Sequence, residues 1–252
     1  MLSKNKIKYL RSLKLSKFRQ MYNNFVVEGE KIVLELLAVS NMEIESIICT
    51  TEWFEKQQQL LHAFGNKLLI AKPKEMEQIT FLKTATEVFV VAKQLPMEVS
   101  SDAVSEGLSL YLDHIQNPGN FGTILRVADW FGIGTVFCSE SSADLYNPKV
   151  IQSTMGAFLR VRVVKTDFEQ LKTDYPKLPV YGTVLAGQNL FNTPLEQKGI
   201  IVIGSEGKGI SPAVMQYITH PLTIPTHADG GAESLNAAVA AGIVCAVFRN
   251  KG

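Results

Sequence analysis

The chain opens with segments that alternate between helical and strand-like hydrophobic patterns. Apolar residues recur at helical spacing in a basic segment that ends near Gln20, and again from about residue 29 to 39. Short apolar runs predict strands at residues 25–27, 44–49, 68–71 and 88–92, with further helices near 53–64 and after Pro73. This order predicts a small α/β/α domain over residues 1–95.

Residues 96–107 lose the apolar periodicity and gain proline, serine, glycine and acidic residues. Such a composition is typical of a linker. We therefore place a domain boundary in this segment and a second domain at residues 108–252.

The second domain returns to the alternation, with longer and more apolar strands. Strands are predicted at 108–112, 135–138, 161–164, 180–184, 200–203 and 221–224, and helices near 120–131, 148–154, 167–174, 211–217 and 233–249. Strands that are apolar on both faces predict a parallel sheet covered on both sides. Ligands bind such sheets beyond the carboxyl ends of the strands, so the residues that follow each strand are the candidates for function.

Composition supports folded domains and excludes several classes of protein. Of the 252 residues, 46% are hydrophobic and 19% are charged, which excludes disorder over most of the chain. No apolar run approaches the roughly 20 residues of a membrane helix, and none follows the basic start as it would in a signal peptide. We expect a cytoplasmic protein with no membrane partner.

The three cysteines, Cys49, Cys138 and Cys245, are widely spaced in apolar sequence. This pattern favours buried thiols in a reducing compartment over a disulfide framework or a zinc site. We predict no metal site.

A net charge of +1 conceals a basic N-terminal arm, because seven bases precede the first acid, Glu28. They are Lys4, Lys6, Lys8, Arg11, Lys14, Lys17 and Arg19. Such a cluster is the electrostatic footprint expected for a phosphate backbone. The alternative is an amphipathic helix that exposes its basic face to water, and charge alone leaves both interpretations open.

Common nucleotide and hydrolase motifs are missing. The first strand of the second domain is not followed by the G-x-G-x-x-G fingerprint, and Gly204–Gly209 lacks the spacing of a P-loop. Ser205 does not stand in a Gly-x-Ser-x-Gly turn. These absences disfavour NAD, ATP and acyl hydrolysis.

The first of three candidate segments, residues 116–132, is a glycine-rich turn that opens an amphipathic helix. Asn120 and Arg126 are six residues apart, so on a helix they point about 120° from each other and can still flank one groove. An arginine in an apolar turn needs an anionic partner, and a substrate phosphate would serve. An ion pair with Asp129, three residues on, is the structural alternative.

The second segment ends a strand with Gly204-Ser205-Glu206-Gly207-Lys208-Gly209, before a helix that Ser211 is expected to cap. Glycines let backbone approach a ligand closely, and Glu206 places an acid at a strand end.

The third segment, residues 222–243, contains a strand, a loop and an alanine-rich helix. Ser234 and Asn236 stand near the start of that helix, where either could be an ordinary cap.

With these three segments the chain resembles the SpoU-type (TrmH-like) RNA 2′-O-ribose methyltransferases of the SPOUT superfamily. The resemblance spans residues 108–250 and rests on Asn-x5-Arg at 120–126, Gly-x-Glu-Gly-x-Gly at 204–209, and Ile-Pro at 224–225 followed by Glu-Ser-Leu-Asn at 233–236. More weakly, residues 17–37 resemble the small RNA-binding domain that often precedes the catalytic domain in this family. That second match favours RNA as the partner of the basic arm.

The resemblance implies a parallel-sheet SPOUT domain with a C-terminal trefoil knot and a bent S-adenosylmethionine among the knot loops. Implied cofactor-binding residues are Leu185, Ala186, Gly204, Glu206, Gly207, Ile224 and Leu235. Implied catalytic residues are Arg126, Asn120, Glu206, Ser234 and Asn236. Arginine is a poor base, since its pKa is above about 12, so we expect Arg126 to bind phosphate and stabilise a developing alkoxide.

The resemblance also implies a homodimer in which the partner completes each site, with Ile243, Val247 and Phe248 as interface or core residues. The loop at 226–232 is longer than is usual in the family, and His227 and Asp229 are interpreted as solvated. The expected activity is methyl transfer to a ribose 2′-hydroxyl of rRNA or tRNA. The alternative is a non-catalytic RNA-binding protein with the same fold.

Overall fold

The computed structural model describes residues 1–39, 42–96, 98–227 and 229–250. The chain forms two compact units, one of Met1–Pro96 with Tyr146–Gly156, the other of Met97–Leu145 with Ala157–Gly252. The excursion at 146–156 belongs to the first unit although sequence alone assigns it to the second domain. The helix in this excursion, residues 148–154, packs on the first strand of the chain, residues 24–28. The Tyr146 hydroxyl accepts a hydrogen bond from the Leu95 N–H at 2.7 Å.

The first unit alternates helices and strands as its pattern predicts. In chain order its elements are α1 (Lys4–Ser12), α2 (Ser16–Tyr22), β1 (Asn24–Glu28), α3 (Glu30–Ala38), β2 (Ile44–Cys49), α4 (Thr51–Lys56), α5 (Gln58–Leu61), a 3₁₀ helix (His62–Lys67), β3 (Leu68–Ile70), α6 (Pro73–Ile79) and β4 (Val88–Lys93). The sheet order is β1-β4-β2-β3. Strand β4 pairs antiparallel with β1 and β2, and β2 pairs parallel with β3.

The single basic helix expected up to Gln20 is two helices. Ser3 caps α1, since its hydroxyl accepts the Lys6 N–H at 3.2 Å. The chain then turns, and Arg19 on α2 donates from Nη1 to the Leu13 and Lys14 carbonyls at 2.8 and 2.7 Å. These two bonds satisfy carbonyls that the end of α1 leaves without helical partners.

The rest of the chain forms the second unit, except for helix α9, which belongs to the first unit. The elements are α7 (Ser101–Ser105), β5 (Leu108–Asp113), α8 (Pro118–Trp130), β6 (Thr135–Cys138), α9 (Pro148–Thr154), a 3₁₀ helix (Ala157–Leu159), β7 (Arg162–Lys165), α10 (Phe168–Asp174), β8 (Val180–Asn189), β9 (Gly199–Gly204), α11 (Pro212–Met215), β10 (His220–Thr223) and α12 (Ala237–Asn250).

The sheet of the second unit has the order β10-β8-β9-β5-β6-β7, and all its pairings are parallel, as the apolar strands predict. Asp113 at the end of β5 lies opposite Gly204 at the end of β9, so the loops after these strands start side by side. Helix α7 occupies part of the predicted linker. Its Val104 is fully buried in the same core as Tyr111 and Val202, which explains why this segment is ordered.

Two elements differ in extent from the sequence-based expectation. Strand β8 continues to Asn189 instead of ending near 184, but its pairing with β10 jumps from Gly182↔Pro221 to Gln188↔Leu222. Residues 183–187 therefore leave the ladder as a bulge. Helix α12 begins at Ala237 instead of 233, because Asn236 is its cap: Oδ1 accepts the Ala238 N–H at 3.0 Å.

All three cysteines are free and buried, as predicted. Burial raises the pKa of the Cys138 thiol to about 12. Over the four described stretches of chain, no helix has the length and apolarity needed to cross a bilayer.

Candidate active site

The start of α8 is built to present Asn120. Asn117 is the cap residue, and its Oδ1 accepts the Gly119 N–H at 2.8 Å and the Asn120 N–H at 3.4 Å. Pro118 occupies the first helical position, where a missing N–H costs nothing. Asn120 therefore stands in the first turn of a helix whose register is fixed by its cap.

The loop after β9 is a tight hairpin that carries Glu206. Ser205 and Gly209 exchange backbone hydrogen bonds of 3.1 and 2.8 Å across the hairpin. A Cβ on Gly204 would lie 2.3 Å from the carbonyl carbon of Gly209, so only glycine fits at the base of the loop. Gly209 has φ +65°, a left-handed conformation that glycine adopts without strain.

Buried Asp113 anchors the far side of this loop. Its Oδ2 accepts the Ser211 N–H at 2.6 Å. Ser211 does occupy the cap position of α11, but its hydroxyl makes no capping hydrogen bond. Sequence reasoning missed Asp113; the available signal was an acid at the end of an otherwise apolar strand.

The three candidate segments meet at Asn120, Glu206 and Asn236. The Asn120 amide donates a short hydrogen bond to Glu206 Oε1. The Asn236 amide donates to Asn120 Oδ1 at 3.1 Å and to Glu206 Oε1 at 3.4 Å. The Ala237 N–H also donates to Glu206 Oε1 at 3.4 Å, which places the carboxylate at the start of α12, where the helix dipole favours a negative charge.

Arg126 lies on a different, exposed side of α8. Its expected partner Asp129 is engaged by Arg160, whose Nε and Nη2 donate to it at 2.9–3.0 Å. The alternative ion pair between Arg126 and Asp129 is therefore not formed. Arg126 makes no hydrogen bond or ion pair within the described stretches and is free to meet an anion.

Four of the other predicted cofactor-binding residues are apolar and at least partly exposed. Leu185, in the bulge of β8, is 80% exposed, and Leu235 is 44% exposed. Ala186 beside Leu185 is exposed, and Ile224 is partly buried. Residues 183–187 leave the ladder, and the Leu185 carbonyl accepts a hydrogen bond from the Thr223 hydroxyl at 3.1 Å. Exposed apolar side chains beside such backbone fit the base of S-adenosylmethionine, so the residues present suit this cofactor.

The loop before α12 is solvated. Ser234 is exposed and makes no hydrogen bond with another described residue. His227 and Asp229 are exposed, with a side-chain separation of 3.7 Å. Ala228, within the lengthened 226–232 loop, lies outside the described residues. The structure thus links Asn120, Glu206 and Asn236 by hydrogen bonds, and Ser234 takes no part in that network.

The N-terminal bases divide into two groups. Five of them are exposed: Lys4, Lys8, Arg11, Lys14 and Lys17. Lys6 is instead paired with Glu45 at 2.9 Å. Arg19 is only 2% exposed and holds backbone carbonyls, so its assignment as an RNA contact is wrong.

The second unit is thus a parallel α/β domain whose three candidate segments are hydrogen-bonded to one another at the strand ends, where domains of this class bind their ligands. Residues 107–246 match the model of the SpoU rRNA methylase family, and residues 4–90 match that of the MRM3-like substrate binding domain. The chain belongs to the SpoU rRNA methylase family.

Individual relatives agree over nearly the whole chain. The 23S rRNA (guanosine(2553)-2′-O)-methyltransferase RlmP of Bacillus subtilis is 29% identical over 95% of this chain and 94% of its own. A TrmH-family structure from Porphyromonas gingivalis is 37% identical, with a TM-score of 0.84 over 100% of both chains. The SpoU methyltransferase AviRb of Streptomyces viridochromogenes, in complex with AdoMet, shares the fold at 21% identity and a TM-score of 0.85, covering 99% of this chain and 98% of that one.

Proposed function

We propose that this protein transfers a methyl group from S-adenosylmethionine to a ribose 2′-hydroxyl of structured RNA, either rRNA or tRNA. The observation that carries the proposal is the hydrogen-bonded cluster of Asn120, Glu206 and Asn236, in which the three family motifs meet. Membership of the SpoU rRNA methylase family supports the same reaction.

Alignment and charge are what the protein must supply. Bound S-adenosylmethionine supplies an electrophilic methyl group and departs as a neutral thioether, so no acid is needed for the leaving group. Asn120, Glu206 and Asn236 orient the reactants, with Ser234 in the adjoining loop as a further contact. Arg126 contributes a permanent positive charge, which binds a phosphate and stabilises the alkoxide as the hydroxyl releases its proton to solvent water.

The cofactor is proposed to lie among the strand-end loops. Leu185, Ala186, Ile224 and Leu235 supply apolar walls, and Gly204, Glu206 and Gly207 line the opposite loop. Close backbone approaches in this region agree with the trefoil knot that we propose for the C-terminal portion: a Cβ on Gly187 would lie 2.7 Å from the Pro221 carbonyl oxygen.

We further propose a homodimer that uses α8 and α12. Trp130 on α8 is 84% exposed and Val239 on α12 is 51% exposed, which is costly for a large apolar surface in a monomer. Ile243 and Val247 are partly buried beside them, whereas Phe248 is fully buried and serves the core. Arg126 and Trp130 are four residues apart and so share a helix face. A partner subunit that covers Trp130 therefore also covers Arg126, and in this dimer Arg126 completes the site of the partner subunit.

Residues 1–95 are proposed as the RNA-binding domain and 108–252 as the catalytic domain, in a cytoplasmic protein. The exposed Lys4, Lys8, Arg11, Lys14 and Lys17 support contact with phosphates.

Two variants test the reaction and the shared site together. Arg126→Ala should abolish tritiated-methyl transfer to RNA while isothermal titration shows nearly unchanged S-adenosylmethionine affinity. Glu206→Ala should also be inactive. When the two variants are mixed in equal amounts and allowed to exchange subunits, half of the dimers contain one subunit of each variant. One of the two sites in such a dimer is intact, so the mixture should recover about a quarter of wild-type activity.

No recovery in the mixture would contradict a site shared between protomers. Wild-type turnover by Arg126→Ala would refute the role of Arg126, and a wild-type protein that does not bind S-adenosylmethionine would refute the methyltransferase itself.

A further inference from the structure

Helix α2 exposes apolar and aromatic side chains in the middle of the basic arm. Tyr22 is 39% exposed and Met21 69% exposed, and Phe18 is partly exposed beside them. We name Phe18, Met21 and Tyr22 the stacking face. A single exposed apolar side chain needs no explanation, but three on one short helix indicate a binding surface.

The rings of the stacking face are held in a defined orientation. Phe18 and Tyr22 are nearly parallel, with an interplanar angle of 13° and centroids 6.3 Å apart. Tyr9 packs edge-on against Tyr22 at 5.0 Å. The Tyr9 hydroxyl donates to Glu45 and accepts from the Asn24 amide, so the ring behind Tyr22 cannot rotate freely.

Positive charge surrounds these rings. Lys17 Nζ lies 4.9 Å from the Phe18 ring centroid, and Lys93 Nζ donates to the Tyr22 carbonyl at 3.0 Å. Lys14 is exposed in the turn before α2, and buried Arg19 fixes that turn. Cations that track a backbone, next to aromatic faces on which bases stack, are the combination that binds single-stranded nucleic acid.

We propose that the stacking face binds an unpaired stretch of RNA, with bases stacked on Phe18 and Tyr22 and phosphates against Lys14 and Lys17. The bases of a duplex already stack on each other and are closed to side-chain stacking. The N-terminal helices therefore select RNA that presents a loop, bulge or end. This inference deepens the proposed function and rests on RNA being the substrate.

Binding of full-length protein to fluorescently labelled RNA, measured by anisotropy without S-adenosylmethionine, tests the proposal. Tyr22→Ala should weaken binding to a short unstructured RNA at least about tenfold and change duplex binding less than about twofold. Tyr22→Phe keeps a ring and should bind like wild type. Ile70→Ala is the matched control, because Ile70 lies in the same unit and is also 39% exposed.

The lysines are tested through salt. Replacing both Lys14 and Lys17 by alanine should reduce the slope of log affinity against log salt by about 1.4 for the single strand, since each lost phosphate contact removes about 0.7. Tyr22→Ala should leave the slope unchanged.

Three results would overturn the proposal: wild-type affinity of Tyr22→Ala for the single strand, equal losses on single strand and duplex, or full affinity of Tyr22→Leu. The last would show that an apolar side chain is sufficient at position 22 and that no base stacks on the Tyr22 ring. A wild-type protein that binds RNA as expected but transfers no methyl group would refute the proposed function alone, so the two failures are distinguishable.

Discussion

Gly204→Ala places a methyl group where the base of the Glu206 hairpin has no room. The new Cβ would lie 2.3 Å from the carbonyl carbon of Gly209 and 2.4 Å from the nitrogen of Ile210. Ordinary contacts begin near 3.4 Å, and the opposing atoms are backbone, so the hairpin must move by about 1 Å. Overpacking of this kind costs about 1–3 kcal/mol of stability.

The movement is expected to matter more for activity than for stability. Glu206 sits at the tip of the hairpin and contacts Asn120 and Asn236, so a shift at Gly204 displaces the whole cluster. A misplacement of 1 Å in an active site costs on the order of 100-fold in rate. We expect Gly204→Ala to lose at least that factor in methyl transfer and to bind S-adenosylmethionine more weakly.

Thermal unfolding, isothermal titration and a tritiated-methyl assay measure the three quantities. Gly134→Ala is the matched control, because Gly134 lies in the same unit outside the site and a Cβ there meets nothing within 4 Å. It should change stability by less than about 0.5 kcal/mol and leave turnover intact. If Gly204→Ala matches Gly134→Ala in all three assays, the hairpin does not position the site.

Two further predictions concern the first unit. Arg19→Ala removes two charge-assisted hydrogen bonds, of 2.8 and 2.7 Å, and should lower the free energy of unfolding by about 3 kcal/mol, whereas exposed Arg11→Ala should change it little; equal urea midpoints would contradict this. Burial raises the pKa of Glu28, although Thr80 and Phe81 donate to its carboxylate. Its stabilising contribution is therefore present below the unfolded pKa of about 4.3 and is lost as pH rises through the folded value. Glu28→Gln should flatten the pH dependence of unfolding above pH 4, and a slope equal to that of Glu52→Gln, a control at an exposed acid, would refute the assignment.

The order of elements and the parallel sheet of the second unit could be predicted from the sequence, because both follow from local periodicity. Ten strands fall where apolar runs predict them. Boundaries were less predictable where a side chain decides them: Asn236 delays the start of α12, and Arg19 stabilises a break in the basic helix. Both boundaries are set by side-chain hydrogen bonds, and the pattern of hydrophobic residues does not show which groups these side chains will bind.

The sequence by itself determined which residue types stand at the strand ends, since glycines, an acid and amides are legible in the motifs at 120–126, 204–209 and 233–236. Only the tertiary structure decided which of them meet. Asn120 and Asn236 are 116 residues apart and hydrogen bond because the parallel strands of one sheet deliver their loops to the same edge. Burial likewise separates Arg19 from the exposed bases and leaves Arg126 open to an anion, because exposure depends on packing between elements that spacing along one helix does not encode.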